Sequence, residues 1–490
     1  MWSSRDHVTW DVHYGISPSA MEMTSQSRMA TLPKTHSKAA KYIYRSTLKN
    51  LILATSYFYK IVAKMNQSSP VESEVFSFQT LRGENERDNA SRFIVYGDMG
   101  AKMSNMTRAA IENLRRTQSI NAVLHVGDFA YDLHSEDGKV GDIFMEEIQS
   151  FAAELPYMTA PGNHEIAEDF KSYRNRFSTP NTPWPIPLDK MWYSFDVGLV
   201  HFISYSTEVY FTYNERYVCQ QFDWLTRDLR TANQNRYKTP WIIAFGHRPM
   251  YCSNNDGDDC TDAFLKGWVR SGLESLFNAQ GVDLVIEAHE HSYERLYPMF
   301  DGKVERFNYT NPRAPVHIIT GAAGSTEGID GWEDSLKHWS AFRFTRKPHQ
   351  QNIQSFSVLE IHNTSHLLFI QNDALDNSTM DHFWLVQENH GQFVENISCR
   401  GPYPHNSCVC NMPLMCNIEF FMILTFALLV NITSGVFFVC VFFKRRSKHL
   451  HKIHGICNNR CVKSKGNRRV SDSSFEDSDT EELLLEDFDL

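Results

Sequence analysis

Apolar and polar positions follow two different patterns between residues 91 and 390. Short continuous apolar runs alternate with longer segments in which apolar residues recur every three or four positions. The first pattern predicts buried strands and the second predicts amphipathic helices. The predicted strands are residues 93–96, 122–126, 155–159, 191–195, 200–205, 241–245, 282–286, 315–320, 355–361 and 366–371. The predicted helices are residues 106–117, 143–155, 218–232 and 273–279. This alternation predicts an α/β domain.

The first eighty residues show short strand-like runs separated by polar connections. The runs are residues 8–10, 41–44, 57–62 and 75–78. This spacing predicts a small β-sandwich over residues 1–80. No signal peptide precedes the first run, so we expect the sandwich to be partial at the start of this chain.

The C-terminal hundred residues predict a membrane anchor. A Cys-containing stalk over residues 391–419 leads into residues 420–443, which carry no charge and are long enough to cross a bilayer as one transmembrane helix. Lys444, Arg445 and Arg446 follow at once, whereas residues 402–443 contain no Lys or Arg. The positive-inside rule therefore predicts a single-pass type I protein with its α/β domain lumenal or extracellular. The expected location is the secretory or endolysosomal pathway or the cell surface.

Residues 444–490 are charged and polar, which predicts a disordered cytosolic tail. Within the tail, the segment from Asp479 to Leu484 has the form of an acidic dileucine signal, which sorting adaptors would bind.

Net charge excludes one class of partner. The chain carries −10, and the basic and acidic blocks of the tail nearly cancel, so the rest of the chain carries about −11. Such a surface is unsuited to holding nucleic acid.

Cysteines and glycosylation sequons agree with a lumenal chain, where disulfides persist. Cys252 and Cys260 bracket a polar loop and form the predicted disulfide. The predicted glycosylation sites are Asn66, Asn89, Asn105, Asn308, Asn363, Asn377 and Asn396.

Five predicted strands are followed closely by residues that bind metals. These residues are Asp98, Asp128, Asn163 with His164, His247, and His289 with His291. Because strand ends converge at one edge of a sheet, five such coincidences predict a single metal centre.

The blocks around these residues resemble the purple acid phosphatases of the metallophosphoesterase superfamily, and most of all their long animal form. The blocks are residues 97–100 (Gly-Asp-Met-Gly), 127–131 (Gly-Asp-Phe-Ala-Tyr), 162–165 (Gly-Asn-His-Glu), 246–251 (Gly-His-Arg-Pro-Met-Tyr) and 288–295 (Ala-His-Glu-His-Ser-Tyr-Glu-Arg). The resemblance covers residues 8–386. It implies a catalytic metallophosphoesterase domain over residues 91–390, with two mixed β-sheets flanked by helices. It also implies that the N-terminal sandwich is fibronectin-like.

The resemblance assigns two sets of metal ligands. A first ligand group (Asp98, Asp128, Tyr131 and His291) would hold Fe(III), and a second ligand group (Asp128, Asn163, His247 and His289) would hold a divalent ion, Zn, Fe or Mn. Asp128 would bridge the two ions. The resemblance also implies that Glu165, Glu290 and Glu294 orient ligands or pair with Arg295.

Tyr131 is the most informative ligand. Most metallophosphoesterases carry a His where this chain has Gly100, so a ligand is missing there, and a Tyr131 phenolate supplies it. A hard anionic phenolate favours ferric iron. The alternative is that Tyr131 is an ordinary core aromatic.

The general acid is open. Plant members carry a His pair after the fourth block, but residues 250–260 contain no histidine. Acid catalysis is then assigned to His164, or to Asp258 or Asp259 with a raised pKa.

The resulting expectation is a membrane-anchored acid phosphatase that hydrolyses small phosphate monoesters with a hydroxide bridging two metals. Two alternatives remain: a phosphodiesterase or pyrophosphatase on the same site, and a non-catalytic adhesion or receptor protein with an idle metal site.

Overall fold

The computed structural model describes residues 1–5, 7–32, 42–64, 71–82, 91–212, 215–255, 260, 268–344 and 354–393. The predicted stalk beyond residue 393, the transmembrane helix, the cytosolic tail and the sorting signal lie outside these residues. Within the described part of the chain, no helix is both long enough and apolar enough to span a bilayer.

Seven short strands form two N-terminal sheets. They are β1 (Trp2–Ser4), β2 (Trp10–Gly15), β3 (Met23–Gln26), β4 (Arg28–Thr31), β5 (Tyr42–Arg45), β6 (Ser56–Ala63) and β7 (Phe76–Gln79). One antiparallel sheet has the order β1-β5-β4 and the other the order β3-β2-β6-β7. Tyr14, Tyr57 and Phe78 anchor a small core against which Trp2 of the other sheet packs. The sequence pattern missed β1, β3 and β4 because these strands contain few apolar residues.

The α/β domain comprises residues 91–393. Its elements in chain order are β8 (Ser91–Tyr96), β9 (Met99–Gly100), α1 (Asn105–Thr117), β10 (Ala122–Val126), β11 (Phe129–Ala130), α2 (Lys139–Ala152), β12 (Tyr157–Ala160), α3 (Ala167–Arg176), β13 (Tyr193–Val197), β14 (Val200–Ser204), α4 (Glu215–Gln234), β15 (Trp241–Phe245), α5 (Trp268–Gln280), β16 (Leu284–Glu287), β17 (Tyr293–Leu296), β18 (Met299–Phe300), β19 (Lys303–Val304), β20 (Val316–Thr320), β21 (Ser340–Arg343), β22 (Ser355–Ile361), β23 (His366–Asp373) and β24 (Thr379–Val386).

Two mixed sheets organise this domain, as the resemblance implied. The six-stranded sheet has the order β12-β10-β8-β22-β23-β24, with β12, β10 and β8 parallel and the others antiparallel. The seven-stranded sheet has the order β13-β14-β15-β16-β20-β17-β21, with β14, β15, β16 and β20 parallel. Two small pairs, β9-β11 and β18-β19, complete the strands of the described domain.

Apolar side chains of both sheets meet in one core. Phe93 of β8 and Phe202 of β14 are fully buried, and their ring centroids lie 4.7 Å apart. The central strand β15 is buried at all five positions. Strands covered on both faces in this way explain the continuous apolar runs in the sequence.

The predicted helices correspond to α1, α2, α4 and α5, of which α2 begins four, α4 three and α5 five residues earlier than predicted. Helix α3 was missed because, apart from Phe170 and Tyr173, it contains no large buried apolar residue. At the end of α2, the Tyr59 hydroxyl of β6 donates to the Ala153 carbonyl at 2.6 Å. This bond joins the N-terminal sheets to the α/β domain.

His201 on β14 provides a stability test away from the candidate metal ligands. Its Nδ1 lies 2.6 Å from Asp196 Oδ1 and its Nε2 lies 3.0 Å from Asp228 Oδ2. Burial lowers the pKa of His201, but the two carboxylates outweigh burial and raise it to about 9. Because the folded pKa exceeds the ordinary value of 6.5, protonated His201 stabilises the fold below about pH 6.5, and this contribution is lost as pH rises through about 9.

We therefore expect His201→Gln to lower the free energy of unfolding by about 2 kcal/mol at pH 6. This value allows for solvent screening of the ion pair with Asp196, because the Asp196 side chain is partly exposed. The difference from wild type should shrink towards pH 9. Urea unfolding of both proteins between pH 6 and 9.5 measures it. A difference that does not change with pH would contradict the assigned ion pairs.

Candidate metal centre

The predicted metal ligands lie on loops at the carboxyl ends of strands in both sheets. Asp98 follows β8, Asp128 follows β10, Asn163 follows β12, His247 follows β15, and His289 and His291 follow β16. β8, β10 and β12 are paired in parallel register, so their ends reach the same edge of the sheet. The structure brings all seven predicted ligands, including Tyr131 after β11, into one cluster.

The backbone turns sharply at several of these residues. Asp98 has φ 60°, Asp128 has φ 56° and His289 has φ 70°. These left-handed conformations cost about 1–3 kcal/mol each for residues other than glycine, and folds retain them mainly where a side chain must be placed for function.

In the first ligand group, three of the predicted metal-binding atoms lie close together. The Tyr131 hydroxyl lies 2.6 Å from His291 Nε2 and 3.3 Å from Asp98 Oδ1. Burial and the charges of Asp98 and Asp128 raise the pKa of Tyr131. Burial and neighbouring His289 lower the pKa of His291 to about 4, which leaves its imidazole neutral and available as a ligand at neutral pH.

Gly100 has no room for a side chain. A Cβ there would lie 2.8 Å from the Gly324 carbonyl oxygen and 3.0 Å from Thr326 Cγ2. The histidine that other metallophosphoesterases carry at this position would collide with that loop. The Tyr131 hydroxyl lies beside Asp98 and His291 instead, and its role as the replacement ligand stays a prediction.

In the second ligand group, His247 is central. Its Nδ1 lies 2.9 Å from the Val126 carbonyl oxygen, so Nδ1 donates and the Nε2 lone pair faces the cluster. Nε2 lies 3.0 Å from Asn163 Oδ1, 3.2 Å from Asp128 Oδ2 and 3.1 Å from His289 Nδ1. Donor atoms of Asp128, His247 and His289 all lie within 4.8 Å of one another, which fits one divalent ion.

Asp128 lies between the two groups, and its charge acts on the Asp98 carboxyl group. Burial opposes ionisation of Asp128, but His247, His164 and His289 hold its pKa below the ordinary value. For Asp98, burial and the nearby Asp128 carboxylate raise the pKa well above the ordinary value. Two buried carboxylates this close need added positive charge to ionise together, and a cation would supply it.

Two glycines allow the ligands to approach each other. A Cβ on Gly162 would lie 2.2 Å from Asp128 Oδ1 and 2.9 Å from His247 Cδ2. A Cβ on Gly127 would lie 2.4 Å from His247 Nδ1, and φ there is +87°. Any larger residue at either position would displace a ligand.

Glu165 fixes the two loops that carry Asp128 and Asn163. Its carboxylate is buried and accepts hydrogen bonds from the backbone N–H groups of Asp128 at 3.0 Å, Phe129 at 3.0 Å and Gly162 at 2.8 Å. Glu165 therefore orients the two loops through their backbone N–H groups and not through the side chain of a ligand.

His164 lies at the border between the ligands and solvent. Its backbone N–H donates to Asp128 Oδ1 at 3.0 Å, and its Nδ1 lies 3.0 Å from Asp132 Oδ1. Its Nε2 lies 3.6 Å from Glu327 Oε1 and 3.9 Å from Asp128 Oδ2. Sequence reasoning missed Asp132 and Glu327. The only signal for Asp132 was its place in the same loop as Asp128.

Arg295 does not pair with Glu165, Glu290 or Glu294, so the pairing alternative was wrong. Its Nε lies 2.7 Å from Asp381 Oδ2, a partner 86 residues away. Glu294 instead accepts from the Ser253 backbone at 2.9 Å and from the Ser253 hydroxyl at 2.6 Å.

Asp330 is a further residue that the sequence did not indicate. It accepts a hydrogen bond from the His291 backbone N–H, and its Oδ1 lies 3.9 Å from His291 Nδ1. It also lines a cavity of about 370 Å³ with Ser292, Tyr293 and Trp332. None of the seven ligands lines that cavity, and the cluster lies on the other, Nε2 side of the His291 ring. The cavity is therefore not the phosphate position.

The structure joins Cys252 and Cys260 by a disulfide, and Cys260 Sγ contacts Glu290 Oε1 at 2.7 Å. Asp258 and Asp259, the alternative general acids, lie outside the described residues. Asn105, Asn308, Asn363 and Asn377 are exposed, as glycan attachment requires, and Asn66, Asn89 and Asn396 lie outside the described residues. Glycosylation stays a prediction.

Comparisons with known proteins agree with this geometry. Residues 91–293 match the calcineurin-like phosphoesterase family, and residues 314–382 match the family described as iron/zinc purple acid phosphatase-like protein C. Acid phosphatase type 7 of Danio rerio is 43% identical over 376 residues, covering 71% of this chain and 79% of the relative. Acid phosphatase type 7 of Homo sapiens is 40% identical over 412 residues, covering 79% of this chain and 88% of the relative.

Among solved structures, a purple acid phosphatase from yellow lupin seeds matches with a TM-score of 0.67 at 21% identity. The match covers 79% of this chain and 71% of the lupin chain, and it supports the fold. Both family models fall on the domain that carries the ligand cluster. The chain therefore belongs to the purple acid phosphatases and is a metallophosphatase with the calcineurin-like phosphoesterase fold.

Proposed function

We propose that this enzyme hydrolyses small phosphate monoesters at a binuclear centre, with Fe(III) in the first ligand group and Zn, Fe or Mn in the second. The observation that carries the proposal is the position of Asp128. Its Oδ2 lies 3.2 Å from His247 of the second group, and its charge raises the pKa of Asp98 in the first. A carboxylate shared in this way can bridge two cations.

When bound, such a pair of cations lowers the pKa of a water between them and neutralises charge on the phosphoryl oxygens. The side chains of this protein would orient the phosphoryl group and the leaving alcohol. In protonated His164, Nδ1 donates to Asp132, and Nε2 remains to donate to a phosphoryl oxygen or to protonate the leaving alcohol. Asp132 Oδ1 and Glu327 Oε1 lie at opposite nitrogens of this imidazole, at 3.0 Å and 3.6 Å.

We also propose that the enzyme is anchored by residues 420–443 with its catalytic domain lumenal or extracellular, and that the two N-terminal sheets form a fibronectin-like domain. The support is the charge pattern around the apolar run, the exposed sequons and the antiparallel order of the seven N-terminal strands. Adaptor binding to the segment from Asp479 to Leu484 is part of the same proposal.

The test uses metal analysis and a visible spectrum of the full-length chain. We expect one iron and one divalent ion per chain and an absorption band from a phenolate bound to iron. Tyr131→Phe should lose that band, because Tyr131 is the tyrosine whose hydroxyl faces the Asp98 and His291 donors. Tyr309→Phe is the control, since its hydroxyl contacts Arg295 and not the cluster, and it should keep the band.

Turnover separates the reaction classes. Faster hydrolysis of p-nitrophenyl phosphate than of its bis-ester supports the monoesterase, and the reverse order supports a diesterase. A wild-type protein that binds both metals without hydrolysis between pH 4 and 8 would support the non-catalytic alternative. A single ion per chain, or a band that survives Tyr131→Phe, would overturn the metal assignment.

A further inference from the structure

Asn105 is an exposed sequon asparagine near the candidate metal centre. It is the first residue of α1, which joins the parallel strands β8 and β10. A helix that joins two neighbouring parallel strands runs back along the sheet, so its first residue lies at the edge where the strands end. Asp98 and Asp128 follow the ends of these same two strands. Asn105 therefore lies at the ligand edge of the six-stranded sheet.

A loop that we call the rim loop, residues 324–327, packs against the residues that precede Asn105. The Gly100 N–H donates to the Gly324 carbonyl oxygen at 3.0 Å. A Cβ on Gly324 would lie 2.8 Å from Ser104 Cα, so no side chain fits between the two segments. Because Ser104 directly precedes Asn105 in the chain, the rim loop is a neighbour of the start of α1.

The rim loop also reaches the candidate catalytic groups. Glu327 Oε1 lies 3.6 Å from His164 Nε2. Burial is the largest cause that raises the pKa of Tyr131, and a hydrogen bond to Ser325 and the charge of Glu327 act on that pKa as well. Thr326 and Glu327 are exposed. The rim loop therefore forms part of the border between the ligand cluster and solvent.

Chain geometry limits the distance between Asn105 and this border. The Cα atoms of Ser104 and Asn105 are about 3.8 Å apart, and the three steps from Gly324 to Glu327 span at most about 11 Å. With the close contact between Ser104 and Gly324, these lengths place the Cα atoms of Asn105 and Glu327 within about 20 Å of each other. An N-linked oligosaccharide is a bulky, solvated branch of several sugars. One attached to Asn105 would reach the entrance to the metal centre.

We propose that an oligosaccharide on Asn105 restricts the metal centre to small phosphate esters and keeps phosphoproteins out. Its donor is a lipid-diphosphate-linked oligosaccharide of the secretory pathway. In the transfer, a bond forms between Asn105 Nδ2 and C1 of the first sugar, the bond from C1 to the diphosphate oxygen breaks, and a proton from Nδ2 passes to the released lipid diphosphate. A small ester passes beside the sugars, whereas a folded protein has to bring its surface against the rim loop. The inference rests on the proposed monoesterase and on its lumenal orientation.

The experiment compares the full-length wild type, produced in cells that attach N-glycans, with Asn105→Gln. Mass spectrometry of the wild type should show sugar on Asn105. The value of kcat/KM is measured for p-nitrophenyl phosphate and for phosphorylated ovalbumin. Asn105→Gln should raise kcat/KM for ovalbumin about tenfold and leave that for p-nitrophenyl phosphate within about two-fold, because only the large substrate meets the sugars. Glutamine is a good helix former at this exposed position, so the variant should fold.

Asn363→Gln is the matched control, since Asn363 is also an exposed sequon asparagine. It follows β22, whose last residue Ile361 pairs with Ser91, the first residue of β8. Asn363 therefore lies at the opposite edge of the sheet from the ligands, and its replacement should leave both rates unchanged. Trimming of the sugars on the folded wild type with an endoglycosidase repeats the test without a substitution and should also raise the rate for ovalbumin alone.

A wild type without sugar on Asn105 would overturn the inference, and so would an equal ratio of the two rates in wild type and Asn105→Gln. A wild type that hydrolyses neither substrate would overturn the proposed function instead. Cleavage by a glutamyl endopeptidase then tests the inference without turnover, because the enzyme has to reach the rim loop to cut after Glu327. The cut should be about tenfold slower in the glycosylated wild type than in Asn105→Gln. Equal cleavage rates would overturn the inference.

Discussion

Replacing Asp128 by alanine is expected to lower kcat/KM for p-nitrophenyl phosphate by at least about a thousand-fold, because a metal pair contributes several kcal/mol to such a reaction. The two oxygens of Asp128 face different partners: Oδ1 accepts the His164 N–H, and Oδ2 faces His247 Nε2. Alanine removes a donor from each ligand group at once. We therefore expect neither ion to remain at full occupancy.

The metal-free form of the same variant should be nearly as stable as the metal-free wild type, within about 1 kcal/mol. Asp98 and Asp128 are both buried, and the Asp128 carboxylate opposes ionisation of Asp98 when no cation is present. Loss of Asp128 relieves that repulsion and offsets the lost contacts to the histidines. Urea unfolding with a chelator measures the stability of the metal-free protein. Metal analysis measures the occupancy of the two ions, and turnover measures kcat/KM.

A surface carboxylate gives the control for this variant. Asp301→Asn removes the charge of an exposed ion pair with Lys303 and keeps a residue type that tolerates the left-handed backbone there (φ 51°), so activity and both ions should be retained. Intact turnover in Asp128→Ala would show that the shared carboxylate was assigned wrongly.

Glu165→Ala is expected to lower the free energy of unfolding of the metal-free protein by about 3–6 kcal/mol. The change leaves three buried N–H groups, of Asp128, Phe129 and Gly162, without an acceptor, at about 1–2 kcal/mol each. Activity should fall as well, because those N–H groups hold the loops that carry Asp128 and Asn163.

Glu165→Gln is the matched control, since it has the same shape and keeps one oxygen. Glu165 Oε2 accepts from two of the three N–H groups and Oε1 from the third, so an amide oxygen in the Oε2 position keeps two bonds. We expect a loss of stability well below that of alanine. Urea unfolding of the three proteins tests the order, and an alanine variant within about 1 kcal/mol of wild type would contradict the role given to Glu165.

The local sequence pattern was sufficient to predict the strands that carry the candidate metal ligands. β8, β10 and β15 are continuous apolar runs that stop at Gly-Asp or Gly-His, and both the strand and its end are visible in a few adjacent residues. Parallel strand ends must share an edge, so the convergence of their ligands followed from the same pattern.

What the sequence did not reveal depends on partners far apart in the chain. Arg295 pairs with Asp381, and Arg248 reaches Glu208, 40 residues earlier. Strand β24 was missed because the exposed residues His382 and Trp384 alternate with its buried apolar residues. A large aromatic side chain at an exposed position hides the alternation of apolar and polar residues. Glu165 had an obvious position beside His164, but its three backbone partners depend on how two loops meet.

The predicted ligands of each proposed ion come from both sheets. Asp98, Asp128, Tyr131 and Asn163 follow strands of the six-stranded sheet or the small pair beside it, whereas His247, His289 and His291 follow strands of the seven-stranded sheet. An ion in either position would thus connect the two halves of the domain across their shared edge. Release of an ion would require these halves to separate slightly against a tightly packed interior. Metal exchange should then be slow compared with turnover, and the enzyme would keep the ions it acquired when it folded.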